Sequence, residues 1–171
     1  LIASLNLKIK SRVLEVGPGE GQLLSELSAK FKNLVALDNS QEMLEKCKKT
    51  ISLTGRKGVE FILGDTSTAL NNNIVSDLVI FNMVLHHIPT PAKMFRDAYS
   101  LLSVGGNLLI VDLCSHDQDW VRNSCGDLWL GFEEVDLNHW ARKAKLVAGQ
   151  SAYLALRNGF QIQMRVFRKN I

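Results

Sequence analysis

Apolar residues along this chain fall into short runs separated by amphipathic stretches, the pattern of strands alternating with helices. Residues 12–16 form a compact apolar run that enters the turn GPGEG at once, and they read as a strand. Over residues 22–31, Leu23, Leu24, Leu27 and Phe31 fall on one helical face. Residues 34–37 predict a second strand that ends at Asp38. Asn39 is expected to cap the next helix, with Glu42 as its box partner. That helix should bury Met43, Leu44, Cys47 and Ile51. Residues 59–63 predict a third strand ending at Gly64-Asp65, and residues 78–81 a fourth ending at Asn82. Thr90-Pro91 opens another helix with Pro at its first position, and Gly105-Gly106 is expected to close it. Residues 107–111 are continuously apolar, as a strand covered on both faces should be.

The last third breaks this rhythm. Residues 151–157 and 160–167 are rich in strand formers and flank Asn158-Gly159, a strong hairpin signal. Residues 116–148 lie between the fifth strand and this hairpin, hold Trp120, Trp129, Phe132 and Trp140, and read as a helical insertion or lid of two helices. The predicted class is α/β, with a parallel sheet flanked by helices and an antiparallel hairpin at its end.

Composition changes little in this picture. The 171 residues suit a single domain with a sizeable core. A net charge of +3 is too weak to argue for nucleic acid. No apolar run approaches the ~20 residues of a membrane span, and Lys8, Lys10 and Arg12 interrupt any secretory signal at the start. Cys47, Cys114 and Cys125 are scattered without paired spacing, which suggests reduced thiols and a cytoplasmic setting. The chain begins at Leu1 rather than Met and so reads as a domain of a longer protein truncated at its N-terminus.

The chemistry concentrates in Val13-Leu14-Glu15-Val16-Gly17-Pro18-Gly19-Glu20-Gly21. A glycine turn after the first strand lets the backbone approach a ligand, and the helix that follows presents free N–H groups. Asp38 stands twenty-one residues after Gly17, at the tip of the second strand, where a carboxylate can accept from both hydroxyls of a ribose. The spacing of Gly17, Gly19 and Gly21 is not that of a dinucleotide fingerprint, since Gln22 occupies the place of its last glycine. Glu15 is also out of place beside a pyrophosphate, whereas it suits an ammonium. The pattern favours an adenosyl amino acid over a nicotinamide dinucleotide.

These residues resemble the class I S-adenosylmethionine-dependent methyltransferases, whose fold is Rossmann-like. Glu15 to Gly21 is similar to their first motif, Asp38 to their ribose-binding acid, and Gly64-Asp65 to the motif that meets the adenine amino group. Asn82-Met83-Val84-Leu85-His86-His87 resembles a segment of small-molecule methyltransferases of the ubiquinone and menaquinone biosynthetic type. Residues 116–132 resemble methyltransferase domains fused to ArsR-type regulators. The resemblance implies S-adenosylmethionine as cofactor and a small-molecule methyl acceptor. It implies a site in which Glu15 takes the methionine ammonium and Asp38 the ribose. Asn39 joins Asp38 at the second strand tip. Asp65 and Thr66 edge the adenine, with Met43 against its face or in the core. Asn82, Met83 and His87 line the methionine end.

No universal catalytic residue marks such chemistry. His116 and Asp117 are the acceptor-side candidates, with the start of a helix as their ordinary explanation. His86 and His87 have no third ligand at a telling spacing, so no metal site is expected. The aromatic residues of 116–148 suit an acceptor pocket, the core beneath a lid, or the contact of a homodimer. A non-catalytic adenosyl-ligand or regulatory domain and a NAD(P)-dependent oxidoreductase remain the alternatives, the second disfavoured by the glycine spacing and the terminal hairpin.

Overall fold

The computed structural model describes residues 1–118 and 120–170. Its strands are β1 (Arg12–Val16), β2 (Asn33–Asp38), β3 (Val59–Leu63), β4 (Ser76–Asn82), β5 (Leu102–Leu113), β6 (Leu146–Ala155) and β7 (Gln161–Lys169). The helices are α1 (Gln22–Leu27), α2 (Gln41–Leu53), α3 (Thr66–Asn71), α4 (Pro91–Leu101), α5 (Trp120–Cys125) and α6 (Glu134–Lys143). One sheet holds all seven strands in the order β3-β2-β1-β4-β5-β7-β6. The first five in that order run parallel, and β7 lies antiparallel to both β5 and β6. The expected α/β class and the terminal antiparallel hairpin are both present.

Alternate side chains of the strands feed two cores, because successive residues point to opposite faces. On one face Leu14, Val35, Val79 and Ile110 pack with Phe95 and Leu101 of α4 and Leu137 of α6. On the other, Val13, Ala36 and Ile80 pack with Leu24 and Leu27 of α1 and with Leu44, Cys47 and Ile51 of α2. Covering both faces explains why these strands read as continuous apolar runs.

Three local expectations are corrected. Asn39 does not cap α2: the cap is Ser40, whose hydroxyl accepts from the Met43 N–H at 3.3 Å. The Asp38 carboxylate takes the Ser40 N–H at 2.9 Å, which holds Ser40 extended and starts the helix one residue later. Glu42 pairs with Lys46 instead of closing a capping box. The helix that opens the chain's first crossover ends at Leu27 rather than Phe31, its last turn tightened by bonds from Ala29 to Glu26 and from Lys30 to Leu27. Phe31 nevertheless stays buried with Leu24 and Leu27. Gly105-Gly106 does not close α4, which stops at Leu101 where the backbone turns extended. The glycines lie inside β5, beside an irregularity in its pairing with β4 between Ser76 and Leu78.

The segment from 116 onward contains the two expected helices, α5 and α6. Phe132 is buried, and Trp140 packs against the core beside Phe95 and Phe132. Two of its four large aromatics therefore serve the core, whereas Trp120 remains 55% exposed.

Candidate cofactor site

The sheet order reverses between β1 and β4, and ligands of open α/β sheets bind beyond the strand ends at such a point. A cavity of about 450 Å³ lies there. Of the residues selected from sequence, Gly17, Asp38, Asn39, Asp65, Thr66 and His87 line it. Val84, Ile88, Lys93 and Met94 line it as well. Val84 follows the fourth strand, and Lys93 and Met94 stand in the first turn of α4, where no local pattern marks them as facing a cavity. A second cleft at the opposite edge of the sheet, beside Lys8, Lys10, Asp77 and Arg168, includes none of the glycine-turn residues.

Glu15 sits beneath the turn, completely buried on the face that carries Val13. Neither carboxylate oxygen makes a well-formed hydrogen bond. Burial raises its pKa from about 4.5 to about 7, and the neighbouring Asn82 side chain offsets only part of that effect. A buried carboxylate that its one polar neighbour satisfies only in part calls for a cationic or hydrogen-bonding ligand group. An ammonium fits, and a pyrophosphate does not.

The glycines above it divide into two roles. Gly19 has φ +56°, and a Cβ built on it meets nothing within 4 Å. Its open side is therefore available to a ligand. Gly21 has φ +83°, and a Cβ there falls 2.7 Å from the Cys47 sulfur. Its bareness lets α1 meet α2 closely, a packing role that spacing alone does not separate from cofactor contact. Gly19→Val should abolish adenosyl-ligand binding in calorimetry. Holding a non-glycine residue in the left-handed region should cost about 1–2 kcal/mol of stability, with secondary structure retained by circular dichroism. Unchanged binding by this variant would remove the turn from the site.

Asp38 keeps one oxygen on the Ser40 N–H, leaving the other for a ligand hydroxyl. Asp65 caps α3, accepting from the Thr68 N–H at 3.1 Å, and this bond holds its carboxyl below the ordinary range. Asp65 therefore stays ionised at the cavity rim. Thr66 is buried, and its hydroxyl donates to Asp97, which also accepts from Lys93 at 2.5 Å. Its side chain ties α3 to α4 and leaves only its main chain for a ligand. Met43 is half-buried on α2 and does not line the cavity. Asn82 stands at the end of β4 near Glu15. Met83 follows with φ +54°, its side chain drawn into a cluster with Leu113, Val121 and Phe160.

The acceptor-side candidates stand elsewhere. The His116 ring packs edge-on against Phe160, and its Nδ1 accepts from the Gln118 N–H at 3.2 Å. Asp117 is exposed. Neither lines the cavity. The loop after α5 instead braces the turn after β4. The N–H groups of Leu128 and Trp129 both donate to the His86 carbonyl, and the Trp129 indole donates to that of Ile88 at 3.0 Å.

The His86 ring is buried and donates through Nδ1 to Asp112 at 2.6 Å. Burial works against its charged form, but Asp112 and Asp127 outweigh this and its pKa stands above the usual value. Asp127, forty residues beyond His87, approaches both rings, at 3.8 Å from His86 Nε2 and 3.6 Å from His87 Nδ1. The spacing of the histidines gave no sign of this third group.

A seven-stranded sheet of this order, with a glycine turn and two acids at successive strand tips, defines a nucleoside-cofactor fold of the methyltransferase kind. The chain belongs to the methyltransferase domain family, which it matches over residues 7–153. It is 26% identical over 136 residues to a chloroplastic 2-methyl-6-phytyl-1,4-hydroquinone methyltransferase of Oryza sativa subsp. japonica, covering 78% of this chain and 40% of that protein. It is 31% identical over 90 residues to a protein-L-isoaspartate O-methyltransferase of Dictyoglomus turgidum, covering 53% of this chain and 41% of that one. The chain thus spans about two fifths of the length of these relatives. A putative methyltransferase from Bacillus halodurans C-125 has the same fold, with a TM-score of 0.87 at 17% identity over 99% of this chain and 97% of its own. The N-methyltransferase NodS of Bradyrhizobium japonicum WM9, solved with S-adenosyl-L-homocysteine, superposes with a TM-score of 0.73 at 16% identity over 93% of this chain and 78% of its own. Among the described residues, no helix is long and apolar enough to cross a membrane.

Proposed function

We propose that this domain transfers a methyl group from S-adenosylmethionine to a small-molecule acceptor. The observation that carries the reading is Glu15, a fully buried carboxylate that the neighbouring Asn82 satisfies only in part, set beneath a glycine turn whose Gly19 side is open. Glu15 suits the methionine ammonium, Asp38 the ribose, and Asp65 with the Thr66 main chain the adenine edge. Asn82 and Val84 close the methionine end. His87 stands at the cavity wall. The sulfonium of the cofactor supplies the reactivity, since it is already a good leaving group. The protein's part is to orient the donor and to exclude water. The match to a quinol methyltransferase over most of this chain supports a small-molecule acceptor.

Asp38→Ala tests the reading. The substitution removes a charge-assisted bond to the ligand worth about 1.5–3 kcal/mol. Affinity for S-adenosylhomocysteine in calorimetry should fall by about tenfold or more, with the fold intact because Asp38 sits at a strand tip. Wild-type protein should bind the adenosyl ligand and not NADH. The opposite preference, or an unaltered affinity in the variant, refutes the assignment.

A further inference from the structure

We propose that His86, His87 and Asp127 form a binding site for a divalent transition-metal ion at the wall of the cofactor cavity. One ligand atom from each lies within 4.8 Å of the others. Asp127 Oδ1 is 3.8 Å from His86 Nε2 and 3.6 Å from His87 Nδ1. Two ligands held about 2.0–2.1 Å from a tetrahedral ion stand about 3.3 Å apart. The two distances to Asp127 need to close by only a few tenths of an ångström, while the two imidazoles, within 4.8 Å of each other, have further to move.

Three features separate this cluster from a chance gathering of polar groups. First, Asp127 is 6% exposed, and its Oδ1 is buried with no hydrogen-bond partner among the described residues. At 3.6–3.8 Å neither imidazole satisfies it. Second, Asp112 is fully buried and fixes His86. It accepts from Nδ1 at 2.6 Å, which leaves Nε2 facing Asp127, where an ion would take the place of any proton. A carboxylate behind an imidazole is the usual support of a metal-bound histidine. Third, the backbone that carries these groups is clamped, because the His86 carbonyl accepts from both Leu128 and Trp129. The ligands are thus held in place before any ion arrives.

His87 completes the set. Its Nδ1 lies 3.3 Å from the Gly126 carbonyl. Moving its proton to Nε2 turns the Nδ1 lone pair toward the cluster without changing charge. With its side chain 42% exposed, Nε2–H can still meet water. Two imidazoles and one carboxylate suit Zn²⁺, Co²⁺, Ni²⁺ or Fe²⁺, whereas Mg²⁺ and Ca²⁺ prefer sites built from oxygen alone. Because His87 also lines the cofactor cavity, an ion held here borders the space assigned to the donor.

Titrating the full chain with Co²⁺, followed by visible absorption and by calorimetry, tests the proposal. One ion per chain should bind, with the intense d–d bands of a low-coordinate site, and Zn²⁺ should displace it. His87→Ala and Asp127→Asn should each weaken Co²⁺ binding by about tenfold or more, while His139→Ala, on the exposed face of α6, should not. His87→Ala changes a half-exposed side chain and so keeps the comparison valid even if Asp127→Asn folds poorly. Absence of Co²⁺ binding overturns the proposal and leaves the cluster as a charge pairing alone. Binding that survives both variants overturns it too, by placing the ion elsewhere. S-adenosylhomocysteine binding is read separately in the same calorimeter, so loss of the metal claim and loss of the methyltransferase reading are distinguishable.

Discussion

Replacing Asp112 by alanine is expected to lower the melting temperature by about 6–20 °C. Asp112 is fully buried at the end of β5. It accepts from the Leu85 N–H at 3.0 Å, from His86 Nδ1 at 2.6 Å and from its own neighbour Leu113 N–H at 2.8 Å. Alanine leaves all of these donors buried without an acceptor. Breaking a buried charged pair costs about 3–5 kcal/mol, and in a domain of this size each kcal/mol is worth about 2–4 °C. The damage should centre on the turn of residues 85–87, which carries His87 into the cavity wall. Adenosyl-ligand affinity should therefore fall along with stability. Asp112→Asn retains a carbonyl acceptor and should cost clearly less. Thermal melts by circular dichroism decide it, and a shift of only a degree or two in the alanine variant would show that Asp112 is not the anchor of this turn.

Glu15→Gln is expected to act in opposite directions on stability and on binding. In the free protein burial raises the carboxyl to about 7. A group whose folded-state pKa is raised favours the fold below its unfolded value near 4.5, and that advantage disappears as the pH rises through about 7. At pH 8 the wild type therefore carries a buried charge that costs it about 3 kcal/mol, much of which glutamine removes. The free variant should melt higher than wild type at pH 8, and the gap should close toward pH 4.5. With ligand the order reverses. The ammonium needs an ionised partner, so wild-type affinity should climb as the pH rises through about 7. Glutamine, which carries no charge, should lower affinity by about tenfold to a hundredfold and flatten that rise. Calorimetry at pH 6 and pH 8 measures both effects. Equal affinity of the two proteins at pH 8 would dissociate Glu15 from the ligand ammonium.

Much of this molecule was legible from local pattern. The strands β1 to β5, the glycine turn and the terminal hairpin declare themselves because period, turn chemistry and strand-end acids are short-range properties of the chain. The positions of Glu15 beneath the turn and of Asp38 at the tip of β2 were legible for the same reason, since each lies a fixed distance from a glycine turn whose geometry is local. Small displacements in the reading came from competition between neighbours. Asn39 lost the cap to Ser40 once the Asp38 carboxylate took the Ser40 N–H. Gly105-Gly106 fell inside β5, in the irregular stretch between the residues Leu102 and Asn107 that pair with β4.

What only the tertiary structure decided lies between distant segments. His116 looks like an acceptor-side base in sequence, yet its ring rests on Phe160, forty-four residues away. Gly21 belongs to a motif of cofactor contact, yet what it spares is a collision with Cys47 on the next helix. Asp127 sits in a loop with no periodicity to read, and it reaches the two histidines only because the His86 carbonyl captures the backbone that follows it. Sequence patterns record which face of an element is buried. They do not record which loop from forty residues away will cover it, because that is settled by packing and by the pairing of buried polar groups across the fold.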